Sequence, residues 1–586
     1  MIATRPAPVP DARPVSPSAQ APRWLVWLAR VPRLFLLACA GVLIQVGFVI
    51  IWILSYRLTH GNDFTYNYLI GQPKVWEKLY DLLLLANTLA PGIEPPAATP
   101  EGLALLVNTF VLACVLAGLG YLAAVFLLDS GVAAVPGALA VIVLFEVVYQ
   151  VTLFLLPGLF TTDIFSYVMY GHISGIYNLN PYLYPPAFFP GNELLGWIHP
   201  IWHNQPTVYG PLWTQIGTLI ARLTTSLDLL DRVFAYKVLM NVVQVANLAL
   251  VWWLLGRTLP AQPRARLTAF TVFAWNPLML FDVAGSAHND ALMVTLLLLG
   301  VVPLVLGPRL TNRGWLVGVL FVGLSALVKY TTALVGLFYA APWARQLPTW
   351  RARLVWLGGA GLLVGGIGYV LFLPWLQLPD VLNSLLNAGS LRLYSNSVPD
   401  IIALVISNVV LDPGGPPTAY AYQDLPETFH TADVRFWMKA VTRGLFALYF
   451  GWEMVSLWRV GNAPRPQVVN AVIAASARAF LVLNLLVLTW VLEWYFMWPL
   501  ALVTLLGWRR MLTWVTVAYT LTSLPAFYVH HYWSTNMPAT VVLAYALPPL
   551  VLPVVPWAYH HLRARRKVAV LSPPTRVRSE AGLGLE

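Results

Sequence analysis

Four stretches of this 586-residue chain carry side chains able to exchange protons or hold charge beside a membrane. The first runs from Thr161 to Trp213. It opens Thr161-Thr162-Asp163-Ile164-Phe165-Ser166-Tyr167, passes Gly171-His172 and Asn180-Pro181-Tyr182, and closes Tyr209-Gly210-Pro211-Leu212-Trp213. It follows a long apolar run that ends near Pro157, and it holds no Lys or Arg in a protein with 35 of them. An aspartate therefore stands at the end of an apolar span, in a loop kept free of positive charge. The second stretch is Gly285-Ser286-Ala287-His288-Asn289-Asp290, preceded by Trp275-Asn276-Pro277. The third is Lys329-Tyr330-Thr331, at a hinge between two short apolar pieces. The fourth is Glu493-Trp494-Tyr495-Phe496-Met497-Trp498-Pro499. Ionisable residues at membrane depth are costly, so they default to functional candidates.

Each has a plainer role as a rival. Asp163 could cap a helix or pair with an interfacial cation. Asp290 could cap the helix it precedes. Lys329 could snorkel, and the Trp and Tyr near 494–498 could be an aromatic belt. Glu146, inside an apolar run, reads as a paired packing residue.

The elements that must position these groups are membrane helices. Hydrophobic residues make up 59% of the chain and charged residues only 10%, well below the roughly 25% of soluble domains. The apolar runs reach the ~20 residues a spanning helix needs and are too long and too apolar for barrel strands. The expected fold is all-α and polytopic, with about 14 spans including short or broken helices, and external loops bearing short interfacial helices. The net charge of +11 sits mainly in short loops and tails, as the positive-inside rule predicts, and does not argue for nucleic acid. Cys39 and Cys114 offer no disulfide framework or metal spacing and read as small buried hydrophobes.

The charge pattern predicts a disordered cytoplasmic tail over 1–30, a transmembrane domain over 31–560, and a basic cytoplasmic tail over 561–586. Within the domain, 158–232 reads as a first large external loop and 376–436 as a second. An even span count puts both termini inside, at the plasma (inner) membrane, with the candidate site outside.

Asp163-Ile164-Phe165-Ser166-Tyr167, Asn180-Pro181-Tyr182 and Tyr209-Gly210-Pro211-Leu212-Trp213 together resemble the first external loop of GT-C membrane glycosyltransferases. The pattern is similar to that of polyprenol-phosphate-mannose-dependent alpha-mannosyltransferases of the bacterial lipomannan type. Asn276-Pro277-Leu278, Ala287-His288-Asn289-Asp290, Lys329-Tyr330 and Trp494-Tyr495 with Trp498 fit the same pattern in the same order. The resemblance implies a hexosyltransferase, with mannose the expected sugar, that uses a polyprenyl-monophosphate sugar as donor and no cofactor. Its partners would be the bilayer, that donor, and a glycolipid or glycan acceptor.

A lipid-phosphate sugar carries its own leaving group, because the phosphate departs as an anion with a second pKa of about 6. What remains is a base for the acceptor hydroxyl, and Asp163 is expected to be it. Lys329, His288 and Arg392 are the expected phosphate partners. Tyr167, His172, Asn180, Tyr182, Tyr209, Asn289, Asp290, Glu493, Trp494 and Tyr495 are the expected sugar or acceptor contacts. One base and one displacement imply inversion. Asp163 has no Asp-x-Asp partner, so no metal site is expected. Two other classes remain: a lipid-linked-sugar transporter or flippase, and a polysaccharide polymerase or ligase, for which Arg392 and Arg435 would be the relevant external arginines.

Overall fold

The computed structural model describes residues 31–58, 100–156, 158–306, 311–386, 397–411 and 429–533. Arg392, the apolar run Ala539–Trp557 and both expected tails lie outside them. Among the described residues the chain is all-α, with no β-sheet. Among the described residues six helices are long and apolar enough to cross a bilayer: Arg33–Ser55, Ala104–Ser130, Leu229–Thr258, Trp350–Trp375, Arg465–Val487 and Met511–Val529. A bent pair, Pro263–Ala274 and Pro277–Gly285, meets at 47° and would add a seventh crossing. The protein is thus a polytopic helical membrane protein. The expectation of about 14 spans also counted pieces that are short here, such as Asn312–Ala326 and Ala333–Gln346, which flank the turn at Tyr330–Thr332.

The exposed faces are what lipid requires. Leu105, Leu112 and Leu119 are exposed at heptad spacing on the helix Pro100–Ser130, as are Val238, Val242 and Val245 on Leu229–Thr258. Helices satisfy their own backbone, so apolar side chains can face hydrocarbon without penalty. Of the two cysteines, Cys114 is buried, but Cys39 is exposed on such a face. One buried charge in the bundle is tightly paired: Arg478 grips Glu453 through Nε and Nη2 at 2.6 and 2.9 Å. Glu146 accepts a bond of 2.8 Å from Gln150, one turn away.

Three apolar runs of the sequence break where local chemistry requires it. The run Leu267–Phe281 ends as a helix at Ala274, because Pro277 lacks an N–H and Asn276 caps the next turn, accepting from the Met279 N–H at 3.2 Å. The run Val469–Leu492 leaves regular helix after Val482. Asn484 there donates to the Tyr495 carbonyl at 3.1 Å and ties down the return of the chain. The run Phe496–Trp508 is helical only over Met497–Thr504, and Gly507 turns the chain at φ +89°. These breaks deliver His288 and Glu493 to one end of the bundle.

Candidate active site

Two short helices carry the first loop. Asp163–Gly175 and Pro211–Leu223 lie side by side in the same direction, with Tyr167 against Trp213 at 5.1 Å between ring centres. Their approach needs glycine: a Cβ on Gly171 would stand 2.7 Å from the Gly217 carbonyl oxygen. At the leading end, the Gly210 and Leu212 N–H groups each donate at 2.9 Å, to the carbonyls of Val328 and Leu327. A Cβ on Gly210 would overlap that Leu327 carbonyl, so only glycine lets the loop dock there. This docking brings Lys329 to the Asp163–Tyr209 end.

The second stretch is shaped by irregular backbone. A π-turn over Phe281–Gly285 is followed by Ala287 at φ +57°, a left-handed conformation unusual for alanine. The result points His288 between two carboxylates. Its Nδ1 lies 3.9 Å from Asp163 Oδ2 and its Nε2 lies 3.8 Å from Asp282 Oδ1. Thr161 Oγ1 stands 3.4 Å from that Nε2, and Trp494 stacks on the ring at 3.7 Å. Burial, reinforced by the charge on Lys329, holds the imidazole well below its usual pKa, hence neutral.

Lys329 and Asp290 form the core of the charge network. The ammonium bonds both Asp290 oxygens at 2.9 and 3.1 Å, and Trp498 Nε1 donates to Oδ1 at 2.6 Å. The ammonium also sits over the rings of Tyr495 and Trp498, at 4.5 and 5.1 Å. Asp290 therefore does not cap its helix, and Lys329 does more than snorkel. Glu493 is fully buried; burial and the nearby Asp282 hold its carboxyl well above the usual range.

Asp163 is the accessible member of this group, with its side chain 19% exposed. It occupies the first turn of its helix but makes no cap. Tyr209 donates to its Oδ2 over a long 3.4 Å. Burial pushes the carboxyl up to about 6; Lys329 opposes that shift, Asp290 adds to it, and the Tyr209 bond opposes it. A carboxylate that is partly open to solvent, raised in pKa and free of a tight partner can accept a proton.

The structure brings together Asp163, Tyr167, Tyr209, His288, Asn289, Asp290, Lys329, Glu493, Trp494 and Tyr495. The Tyr167 ring packs against Tyr209 at 5.1 Å between ring centres. The buried Asn289 amide has no hydrogen-bond partner. Three of the expected residues lie apart. His172, near the far end of the Asp163 helix, meets Arg232 at 3.0 Å; burial and that charge lower its pKa to about 4. Asn180 donates to the Trp375 carbonyl at 2.8 Å. Tyr182 is fully buried, its hydroxyl 3.0 Å from Thr214 Oγ1 and 3.1 Å from the Tyr209 carbonyl.

Asp282 was missed. It is fully buried with no hydrogen-bond partner on either oxygen. The signal was present, a lone acid in the apolar run Pro277–Val283. Among the described residues no group of three or more His, Cys, Asp or Glu has metal-holding geometry.

Sequence comparison finds similarity to known proteins over the segment that carries most of these residues. A family model described as Alpha-(1->6)-mannopyranosyltransferase, N-terminal domain, matches residues 82–345. That range includes Asp163, Tyr209, His288, Asp290 and Lys329. The chain is 27% identical over 201 residues to Alpha-(1->6)-mannopyranosyltransferase A of Mycobacterium tuberculosis, covering 34% of this chain and 36% of that protein. It is 29% identical over 220 residues to Alpha-(1->6)-mannopyranosyltransferase A of Corynebacterium glutamicum, covering 35% and 42%. With Alpha-(1->6)-mannopyranosyltransferase B of the same organism the identity is 30% over 159 residues, covering 26% and 25%. The chain thus spans less than half the length of these curated relatives. Over the matched segments the chain is similar to these alpha-(1->6)-mannopyranosyltransferases.

Proposed function

We propose that the chain is a membrane glycosyltransferase. It moves a hexose, taken as mannose, from a polyprenyl-monophosphate sugar to a hydroxyl of a lipid-linked or glycan acceptor. The observation that carries this reading is the partly exposed Asp163 carboxylate at the rim of a buried charge network. The reading is supported further by the relatives' names and by the apolar helices around the site, which suit a prenyl tail.

In this mechanism Asp163 removes the acceptor proton as the hydroxyl attacks the sugar carbon, and the phosphate leaves from the opposite side. A single displacement inverts that carbon. Lys329 faces the leaving phosphate. Asp290 occupies two of its three N–H donors and fixes its position, leaving one donor for the phosphate. Neutral His288 can donate from one ring nitrogen, and its stack on Trp494 fixes the ring plane. Asn289 and Glu493 are the buried polar groups left to meet sugar hydroxyls. Arg392, in the second external loop, is the further proposed phosphate partner. Protein cations balance the phosphate, and no metal or cofactor is required.

The test is transfer of radiolabelled mannose from polyprenyl phosphate to an alpha-linked mannose oligosaccharide by purified protein in detergent. Movement of the donor across vesicles without any transfer would instead favour a transporter.

The pH profile follows from Asp163. The carboxyl must be ionised to act, and its pKa is raised to about 6. Activity is therefore flat above pH 7 and falls as pH drops through 6, to about a tenth at pH 5. The charged and titratable groups facing it are His288, Lys329, Asp290, Glu493 and Tyr209. Undiminished kcat/KM at pH 5, in protein that remains folded, is incompatible with Asp163 as base.

We further propose that the site faces outward, with both tails cytoplasmic, since the loop from Leu159 to Ala221 has no Lys or Arg. Glu193 is exposed in that loop. Glu193→Cys, in a background lacking Cys39 and Cys114, is expected to react with an impermeant thiol reagent from the outside. Labelling only from the cytoplasmic side overturns the orientation.

A further inference from the structure

A second polar cavity lies at the trailing end of the same helix pair. It has a volume of about 360 Å³, within the ~300–1,000 Å³ of small-ligand sites. Asn178, Asn180, Tyr184, Gln215, Arg222 and Trp375 are among its lining, with Ser174, Thr218 and Gln377 and the apolar Leu179 and Pro374.

Its chemistry is selective. No carboxylate lines it, and Arg222 is its single cation. Amides, hydroxyls and aromatic rings suit a neutral, hydroxyl-rich ligand; a lipid tail would meet too many polar groups, and a phosphate too little charge. The wall is also pre-set. Asn180 is tied to the Trp375 carbonyl and to the Tyr182 N–H. The Gln215 amide donates to the Leu371 carbonyl at 3.0 Å, which leaves its oxygen free to accept. Thr218 and Ser174 share a bond of 2.7 Å. Such fixed amides bind a sugar without first losing rotamer freedom.

Position gives the cavity its role. Asp163 begins its helix and Ser174 lies near its end, a separation of roughly 16 Å at 1.5 Å per residue. That is longer than one sugar ring, so a ligand touching both places must be a chain. We propose that this cavity is a remote acceptor subsite: it holds an uncharged hexose within an oligosaccharide while the terminal hydroxyl of that oligosaccharide lies at Asp163. The protein would then extend glycan chains in preference to single sugars. The inference rests on the transferase reading above.

Arg222 and Gln377 are exposed and lie outside the charge network, so Arg222→Ala with Gln377→Ala should fold normally. Transfer would be measured to alpha-(1->6)-linked mannotetraose and to an alkyl mannoside. The double variant is expected to raise KM for mannotetraose roughly tenfold, the loss of one or two hydrogen bonds, with kcat unchanged and the alkyl mannoside unaffected. Equal losses on both acceptors, or none on mannotetraose, overturn the subsite. A second arm needs no transfer: mannotetraose binding by calorimetry to the Asp163→Asn protein, with and without the double substitution. Binding that is lost with Arg222 and Gln377 supports the subsite even if the transferase reading fails. Binding that survives their removal overturns it even if transfer is observed.

Discussion

Replacing Asp163 by asparagine is expected to lower kcat about 10²–10⁴-fold, the usual contribution of a general base, with little change in KM for the donor. Asparagine keeps the shape, and its oxygen can still accept the Tyr209 hydroxyl that now lies 3.4 Å from Oδ2. What it cannot do is take a proton. The protein should remain at least as stable as the parent. A carboxyl whose folded pKa is raised costs stability at every pH above that pKa, and the shift to about 6 means that the neutral residue removes the cost at pH 7. Thermal melting therefore serves as the folding control. An Asp163→Asn enzyme that turns over at near-parent rate, with unaltered melting, would falsify the assignment of the base. A matching loss through unfolding is excluded by that control. The pH profile supplies an independent reading, because the acid limb near pH 6 should vanish together with the activity.

The helices were legible because lipid selects for them simply: a run of about 20 apolar residues is a helix whatever its neighbours do. Their ends were less so. The break at Asn276-Pro277 is written in the two residues themselves, yet the apolar run continues through it to Phe281, and hydropathy averages over a single turn. The unwinding after Val482 has no such marker, since it depends on Asn484 meeting the Tyr495 carbonyl, a contact made only after the chain has turned back. Within the site, Asp163, His288, Asp290, Lys329 and Glu493 stand out as charges beside apolar runs. Their pairing does not. Lys329 and Asp290 are 39 residues apart, and Trp498 reaches the same carboxylate from 208 residues away. The same limit explains His172 and Tyr182. A polar residue in a loop between apolar runs looks the same in sequence whether it faces a substrate or, like Tyr182, bonds Thr214 inside the loop's own core.

Lys329→Met is expected to have two separable consequences, and their separation tells what Lys329 does. The first is structural. Asp290 is almost wholly buried, with its carboxylate held by Lys329 and by Trp498. Removing the lysine leaves that charge uncompensated, which typically costs about 3–5 kcal/mol and should appear as a marked fall in melting temperature. The second is functional, because the third donor of the ammonium is lost to the donor phosphate. Lys329→Met with Asp290→Asn removes both charges at once. Asparagine can still accept from Trp498 Nε1, so most of the stability should return, a replaced buried pair often being nearly neutral. Binding of a non-transferable polyprenyl-phosphate sugar should not return, and the gap between the double variant and the parent should be at least tenfold in Kd, the effect of one charge-assisted bond of about 1.5–3 kcal/mol. Full recovery of both stability and donor affinity in the double variant would reduce Lys329 to the counter-ion of Asp290. The leaving phosphate would then have to be met by His288 or by Arg392.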